Sequence, residues 1–241
     1  MKGMKYTLAL CCLVMEAGCA TISWLASDDP AVKLRSAAED FGQKNEPVAA
    51  EKLIREAIDS YGRKSDQLGL AEAYRQYGLF YRSNAVSTAA DYYEEYGFLD
   101  KTVAFKDRYE KAIEHFNLSR YLYEDLGRYD DLSTRYISLA KTYDMTNRLD
   151  EACNAFYKSL ESFALFKLNN PETDESRSDE IASYREYVES MRKQAGCPDT
   201  PVQPAKPSPP APTSPYAPSE PPAQPEQAAR GLNNRHSRPP E

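Results

Sequence analysis

The stretch from Ser133 to Leu165 constrains the fold more strongly than any other part of the chain. It places bulky and small residues at fixed intervals, at Tyr136, Leu139, Ala140, Tyr143, Ala152, Phe156 and Ser159. Two antiparallel helices that pack closely need bulky side chains beside the contact, small residues where the backbones approach, and an aromatic ring in the remaining gap. The spacing therefore predicts a helical hairpin.

The same spacing resembles that of the tetratricopeptide (TPR) family, whose repeats are stacked helical hairpins. Two other stretches share the register. The first contains Leu34, Ala37, Ala38, Phe41, Ala50, Ile54 and Ala57, and the second contains Tyr74, Tyr77, Gly78, Tyr81, Ala112, Phe116 and Ser119. The resemblance covers residues 31–191 and implies an all-α fold, a TPR-like α-solenoid of three hairpins followed by a C-terminal cap helix.

The middle hairpin contains an insertion of 22 residues, which lies within residues 83–105. Its sequence is acidic and rich in tyrosine, and two interpretations are open. The insertion could contact a partner, as loops of repeat proteins often do, or it could pack back on the array as additional core. Tyr92, Tyr96 and Leu99 recur at helical spacing, which favours packing.

Proline and glycine predict the ends of several helices. Asp29 and Pro30 have the order of an N-cap followed by the first turn of a helix, at the start of a helical domain that we expect to span 30–196. Gly42 is expected to end the first helix, and Pro47 to begin the second.

A last amphipathic helix is expected after the break at Pro171. Ile181, Tyr184, Val188 and Met191 recur there at helical spacing, which suits a helix that covers the apolar end of a solenoid. Of the 17 prolines in the chain, 14 lie between residues 198 and 240. Residues 197–241 are therefore expected to form an extended, disordered tail.

The N-terminus has the layout of a bacterial secretion signal. Two lysines precede an apolar run from Tyr6 to Met15, which is too short to span a bilayer. The ending Ala17-Gly18-Cys19 resembles a lipobox, although Glu16 departs from the apolar residue usual at that position. The resemblance implies cleavage after residue 18, lipidation of Cys19, a tether at residues 19–29 and an outer-membrane location facing the periplasm. Ordinary secretion with cleavage at a small-residue site is the alternative.

Cysteine usage outside this leader predicts one disulfide. Cys153 lies in the first turn of the last hairpin's second helix, and Cys197 lies just after the expected cap helix. If the cap packs antiparallel on the preceding helix, its end returns to Cys153. The alternative is two unpaired thiols, with Cys153 filling a site for a small residue.

Catalytic and metal-binding patterns are missing from the sequence. The two histidines, His115 and His236, have no second ligand at metal-binding spacing, and none of the common nucleophile or phosphate-binding motifs occurs. The formal charge of −7 argues against nucleic acid as a partner. We therefore expect neither an enzyme nor a cofactor.

The resemblance to TPR proteins implies a partner-binding groove lined by the first helix of each hairpin. The positions that should face it include a mixed basic and apolar set, Arg75, Leu79, Arg82, Ile137 and Lys141. Such a set suits an extended segment with an acidic group. The expected function is a non-enzymatic scaffold of the bacterial cell envelope that holds a partner protein of an assembly or secretion system. The alternatives are that these residues merely face solvent, or that the protein is a spacer acting through its lipid and its Pro-rich tail.

Overall fold

The computed structural model describes residues 28–170 and 176–198, without the side chains of 176–181, and all regular elements in these ranges are helical. The helices are α1 (Pro30–Glu39), α2 (Pro47–Arg63), α3 (Gln67–Tyr81), α4 (Asn84–Thr88), α5 (Ala90–Tyr96), α6 (Arg108–Asp125), α7 (Tyr129–Met145), α8 (Leu149–Asn169) and α9 (Ser176–Ala195). The predicted all-α class is confirmed. The predictions for the leader, the tether up to residue 27 and the tail beyond residue 198 lie outside the described residues.

The long helices pack mainly on their neighbours in the chain: α1 on α2, α2 on α3, α3 on α6, α6 on α7 and α7 on α8. Helices α3 and α6 run antiparallel. Glu72, near the start of α3, accepts a hydrogen bond from the Tyr123 hydroxyl near the end of α6. Further along α3, Gly78 lies against Phe116, which is in the middle of α6. A Cβ at Gly78 would lie 2.7 Å from a carbon of that ring, so the close approach requires glycine.

The small and bulky positions that the repeat spacing marks in the second helix of each hairpin are buried in all three cases. Each hairpin buries a small residue, an apolar or aromatic residue four positions later and a second small residue three positions after that. These trios are Ala50, Ile54 and Ala57; Ala112, Phe116 and Ser119; and Ala152, Phe156 and Ser159. The spacing thus identified the contact face of each second helix.

The first helix begins as its sequence indicates but ends differently. The carboxylate of Asp29 accepts a hydrogen bond from the Ala31 backbone N–H, with Pro30 in the first turn. The prediction that Gly42 ends the helix is wrong, because a π-helical turn, Asp40–Lys44, continues through it. The backbone instead reverses at Asn45, whose φ of 58° is left-handed, before α2 starts at Pro47.

The insertion packs against the body of the protein, as the second interpretation of the sequence holds, but through other residues than expected. Tyr92, Tyr96 and Leu99 are exposed. Tyr93 and Phe98 are buried instead, with their rings stacked at 4.3 Å, and both rings contact Phe80 of α3. The helical spacing of Tyr92 and Tyr96 therefore marks the outer face of α5, and the prediction that these residues pack on the body is wrong.

Helix α9 runs antiparallel to α8. Tyr184, in the first half of α9, stacks on Phe163 in the second half of α8, with ring centroids 4.0 Å apart. At the other end, Cys197 forms a disulfide with Cys153, and their Cα atoms are 5.5 Å apart. Val188 of α9 is fully buried between these two contacts. In the described parts of the chain, no helix is long and apolar enough to cross a membrane.

Candidate functional site

Helices α3, α7 and α9 share one face of the protein, although α6 and α8 lie between them in the chain. The Arg82 guanidinium of α3 donates hydrogen bonds to the Ser138 carbonyl oxygen and the Thr142 hydroxyl of α7, at 2.8 and 2.9 Å. Lys141 of α7 in turn donates a hydrogen bond from Nζ to the Tyr187 hydroxyl of α9 at 3.3 Å. These contacts place the end of α3 beside α7 and α7 beside α9, and the five residues predicted to line a groove lie on α3 or α7 or at the end of α3.

Two of the five predicted groove residues, Arg75 and Leu79, lie on α3 and remain partly exposed. Arg75 forms an ion pair with Glu72 one turn earlier, so its charge is already balanced within α3. Leu79 is half-buried and packs against the apolar core with part of its side chain. These residues leave a mixed stripe of a carboxylate, a guanidinium and an apolar side chain along α3.

Arg82 and Ile137 contribute mainly to packing between helices. Arg82 lies over the Phe116 ring, 5.1 Å from its centroid, in addition to its hydrogen bonds with α7. Burial lowers the pKa of Arg82 to about 10. Ile137 is only 8% exposed, so little of its side chain can reach a partner.

Lys141 lies at the end of the shared face. Its ammonium is 5.7 Å from the centroid of the Tyr187 ring, and this tyrosine is half exposed. The lysine is itself partly exposed and has no carboxylate among its described partners. Of the five predicted residues, Arg75, Leu79 and Lys141 thus retain surface that a partner could contact.

A buried carboxylate, Glu51 of α2, joins the insertion to the body of the protein. The side chain is 2% exposed, and its Oε1 atom accepts hydrogen bonds from the Tyr77 hydroxyl at 3.1 Å and the Leu99 backbone N–H at 2.7 Å. One oxygen atom therefore contacts both α3 and the insertion. A buried carboxylate is costly unless it is hydrogen-bonded or protonated.

Burial raises the pKa of Glu51 from 4.5 to about 7. The hydrogen bonds from Leu99 and Tyr77 and the positive charges of Arg55 and Lys101 oppose this rise and do not cancel it. The carboxyl group is therefore partly protonated near neutral pH. Nothing in the sequence marks this site, because a glutamate that follows Ala50 in an amphipathic helix would be expected on the surface.

The elevated pKa of Glu51 predicts a specific dependence of stability on pH. The folded protein binds this proton more tightly than the unfolded chain, so the contribution of Glu51 is full below pH 4.5 and is lost as the pH rises to about 7. The loss amounts to about 3 kcal/mol at ~1.4 kcal/mol per pKa unit. Glu51→Gln keeps a carbonyl acceptor and removes the titration, so its stability should exceed that of the wild type increasingly from pH 5 to pH 8.

Urea unfolding at several pH values measures this difference. Glu46→Gln, at an exposed carboxylate just before the same helix, is the matched control and should follow the wild type. Parallel pH profiles for the wild type and Glu51→Gln would contradict the assignment.

Metal binding finds no support in the part of the chain that the structure describes. No group of three or more histidine, cysteine, aspartate or glutamate side chains there could hold an ion. Comparison with known proteins adds no assignment, because no protein-family model, curated protein or solved structure matches the chain.

Proposed function

We propose that this protein is a non-enzymatic, TPR-like scaffold of the bacterial cell envelope that holds an extended segment of a partner protein. The observation that carries the proposal is the set of side-chain contacts by which Arg82 joins α3 to α7 and Lys141 joins α7 to α9. In TPR arrays, first helices line such a face, and an extended peptide can lie across it. The burial of equivalent small and bulky positions in the second helix of all three hairpins supports the same architecture.

The cap proposed for this solenoid is α9. A solenoid needs a final element with a polar outer side, because its last repeat has an apolar face without a neighbour. Helix α9 buries Val188 and Met191 toward the body and exposes Arg185, Glu186 and Tyr187. Its antiparallel contact with α8 suits that role.

The partner segment that best fits this face carries an apolar residue and an acidic group. Leu79 offers an apolar surface, and Lys141 offers a cation with no carboxylate among its described contacts. The ion pair of Arg75 and Glu72 is polar, and its two side chains could exchange hydrogen bonds with a peptide backbone or with polar side chains. Cys19, if lipidated, would hold this complex at the outer membrane, as the leader sequence suggests.

Paired substitutions on two faces of the molecule test the proposal. Leu79→Glu with Lys141→Glu reverses the character of the shared face, and we expect it to lower partner recovery in native membranes at least tenfold. Val48→Glu with Lys52→Glu makes the same two changes at exposed positions of α2 and should leave recovery unchanged. The measurement is site-specific photocrosslinking from position 79 and, as the control, from position 48.

The second candidate function is a structural spacer that works through the lipid anchor and the Pro-rich tail. The burial of Ile137 and the hydrogen bonds of the half-buried Arg82 with α7 favour it, since both residues stabilise helix packing and leave less surface for a partner. A spacer should tolerate the Leu79 and Lys141 substitutions and fail when residues 198–241 are deleted. That outcome, with no crosslink specific to position 79, would overturn the scaffold proposal.

A further inference from the structure

Arg82, at the end of α3, carries a positive charge that no carboxylate balances among the described residues. Its guanidinium contacts the Phe116 ring and two uncharged oxygen atoms of α7, those of Ser138 and Thr142. Five other partly or fully buried arginines each have a carboxylate oxygen within 4.0 Å, and these are Arg75, Arg120, Arg135, Arg148 and Arg192. Arg82 is thus a half-buried cation without a counter-charge.

Only one of the three guanidinium nitrogens of Arg82 takes part in its described hydrogen bonds. Nη1 donates to the Ser138 carbonyl oxygen at 2.8 Å and to the Thr142 hydroxyl at 2.9 Å. Nε and Nη2 carry the other N–H donors of the group. Neither of these two nitrogens belongs to the buried polar atoms that lack a partner in the described part of the chain. Although most of Arg82 is used in packing, this edge of its guanidinium therefore remains accessible.

The accessible edge has the geometry that a carboxylate requires. The N–H bonds of Nε and Nη2 point to the same side of the planar guanidinium, so one carboxylate can accept a hydrogen bond from each. A half-buried charge is also screened less by water and salt than an exposed one, and it gains more from a counter-charge. The free edge of Arg82 is therefore suited to a single carboxylate.

A second cation and an apolar side chain lie on either side of Arg82. Lys141 of α7 follows Ser138 by three positions, so the two are neighbours on the surface of that helix. The described hydrogen-bond partner of Lys141 is the neutral Tyr187 hydroxyl. Leu79, one turn before Arg82 on α3, is partly exposed. Arg82 thus joins an apolar contact on α3 to a cation on α7.

We propose that Arg82 is the receptor for an aspartate or glutamate side chain within the partner segment. The carboxylate accepts hydrogen bonds from Nε and Nη2 of Arg82, and an apolar residue of the segment lies on Leu79. Lys141 adds a second favourable charge. An acid inside the segment fits better than a free C-terminus, because the segment continues to contacts on both sides of Arg82. This inference rests on the proposed scaffold function and adds to it the residue that selects an acidic segment.

Selection from two libraries of short random peptides tests the ligand class, with the full chain as bait. One library presents the random segment between fixed flanking residues, and the other presents it at a free C-terminus. We expect the first library to yield binders that share an aspartate or glutamate near an apolar residue. Binders without an acid would overturn this inference and leave the scaffold proposal standing. Acids selected only as free C-termini would overturn the internal segment, and the absence of any binder would contradict both proposals.

A thermodynamic cycle then identifies the receptor. The selected peptide and a counterpart with the acid replaced by its amide are titrated calorimetrically into the full chain. Arg82→Gln should weaken binding of the acidic peptide about tenfold or more. The amide peptide should bind the wild type and Arg82→Gln equally, because the interaction between the two charges is already absent. Equal losses for the two peptides would overturn the proposal.

Two variants separate this role from helix packing. Thr142→Val removes one hydrogen bond of Arg82 with α7 but leaves its charge and its free edge, so the affinity should change little. Arg63→Gln, at an exposed position of α2, should have no effect. If Thr142→Val weakens binding as much as Arg82→Gln, Arg82 acts only through packing.

A measurement on the wild type avoids any effect of substitution on folding. The ¹H–¹⁵N resonance of Arg82 Nε should shift when the acidic peptide binds and should stay in place with the amide peptide. An unchanged resonance at saturating acidic peptide would show that the carboxylate binds elsewhere.

Discussion

Replacement of both Cys153 and Cys197 by alanine is expected to lower the free energy of unfolding by about 4 kcal/mol. The disulfide joins residues separated by 44 positions, and the chain-entropy model assigns that value to the closure of a loop of this length. The closed loop contains most of α8, the proline at position 171 and all of α9. The crosslink therefore restricts this whole segment in the unfolded chain. The effect is large compared with the total stability of about 5–15 kcal/mol usual for a domain.

Urea unfolding of the wild type and the double variant, each with and without a reductant, checks this prediction. The reductant should destabilise the wild type to about the level of the variant and leave the variant unchanged. Mass spectrometry under non-reducing conditions provides a second readout. Two free thiols in the protein purified without reductant, or a loss below about 1 kcal/mol, would contradict a stabilising crosslink.

Truncation of Phe156 to alanine is expected to cost about 3–5 kcal/mol. The ring is 2% exposed and belongs to the main apolar core, on the face of α8 that also buries Ala152 and Ser159. The small neighbours that let α7 and α8 approach closely also leave little freedom to refill the space, so a cavity should remain.

Phe166→Ala is the matched control for this change, since Phe166 lies on the same helix but is only half-buried. It should cost clearly less than Phe156→Ala in the same urea titration. Equal losses in the two variants, or a loss below about 1 kcal/mol at Phe156, would show that the repeat spacing does not identify the core of this hairpin.

The helix faces could be predicted from the sequence because packing geometry imposes a local rule. Two helices at close contact require small residues at defined intervals and a bulky residue to fill the space between them. Ala112 and Ser119 are the small residues and Phe116 is the bulky one, all within a single helix. The pairing of Cys153 with Cys197 could be predicted from two adjacent helices, because an antiparallel last helix brings its C-terminal end back to Cys153. In both cases the information lies within one or two adjacent elements.

The contacts of the insertion could not be predicted, because they depend on residues distant in the chain. Glu51 accepts a hydrogen bond from Leu99, 48 positions later, and nothing in the local pattern of α2 marks this glutamate as buried. For the same reason, the sequence could not show which of Tyr92 and Tyr93 packs against the body of the protein. Both positions are aromatic, and α5 is too short for periodicity to distinguish its faces.

The surroundings of the predicted groove residues followed from the sequence only in part, as Arg82 shows. The repeat spacing predicts that this residue faces a partner, but its long side chain reaches the adjacent helix α7. Its guanidinium reaches a backbone carbonyl of α7 instead of solvent. Position within a repeat therefore indicates the face of a residue, whereas its partners depend on the adjacent helix.

The disulfide also determines how the folded domain would respond to tension. Residues beyond 198 follow Cys197 directly, and Arg192 donates a hydrogen bond to the Pro198 carbonyl oxygen at the same point. A force applied to the C-terminal segment would be transmitted to α8 through the disulfide, so α9 would not have to unfold first from its C-terminal end. With the crosslink intact, the load would fall on the contact between α7 and α8; once it is reduced, α9 could detach one turn at a time.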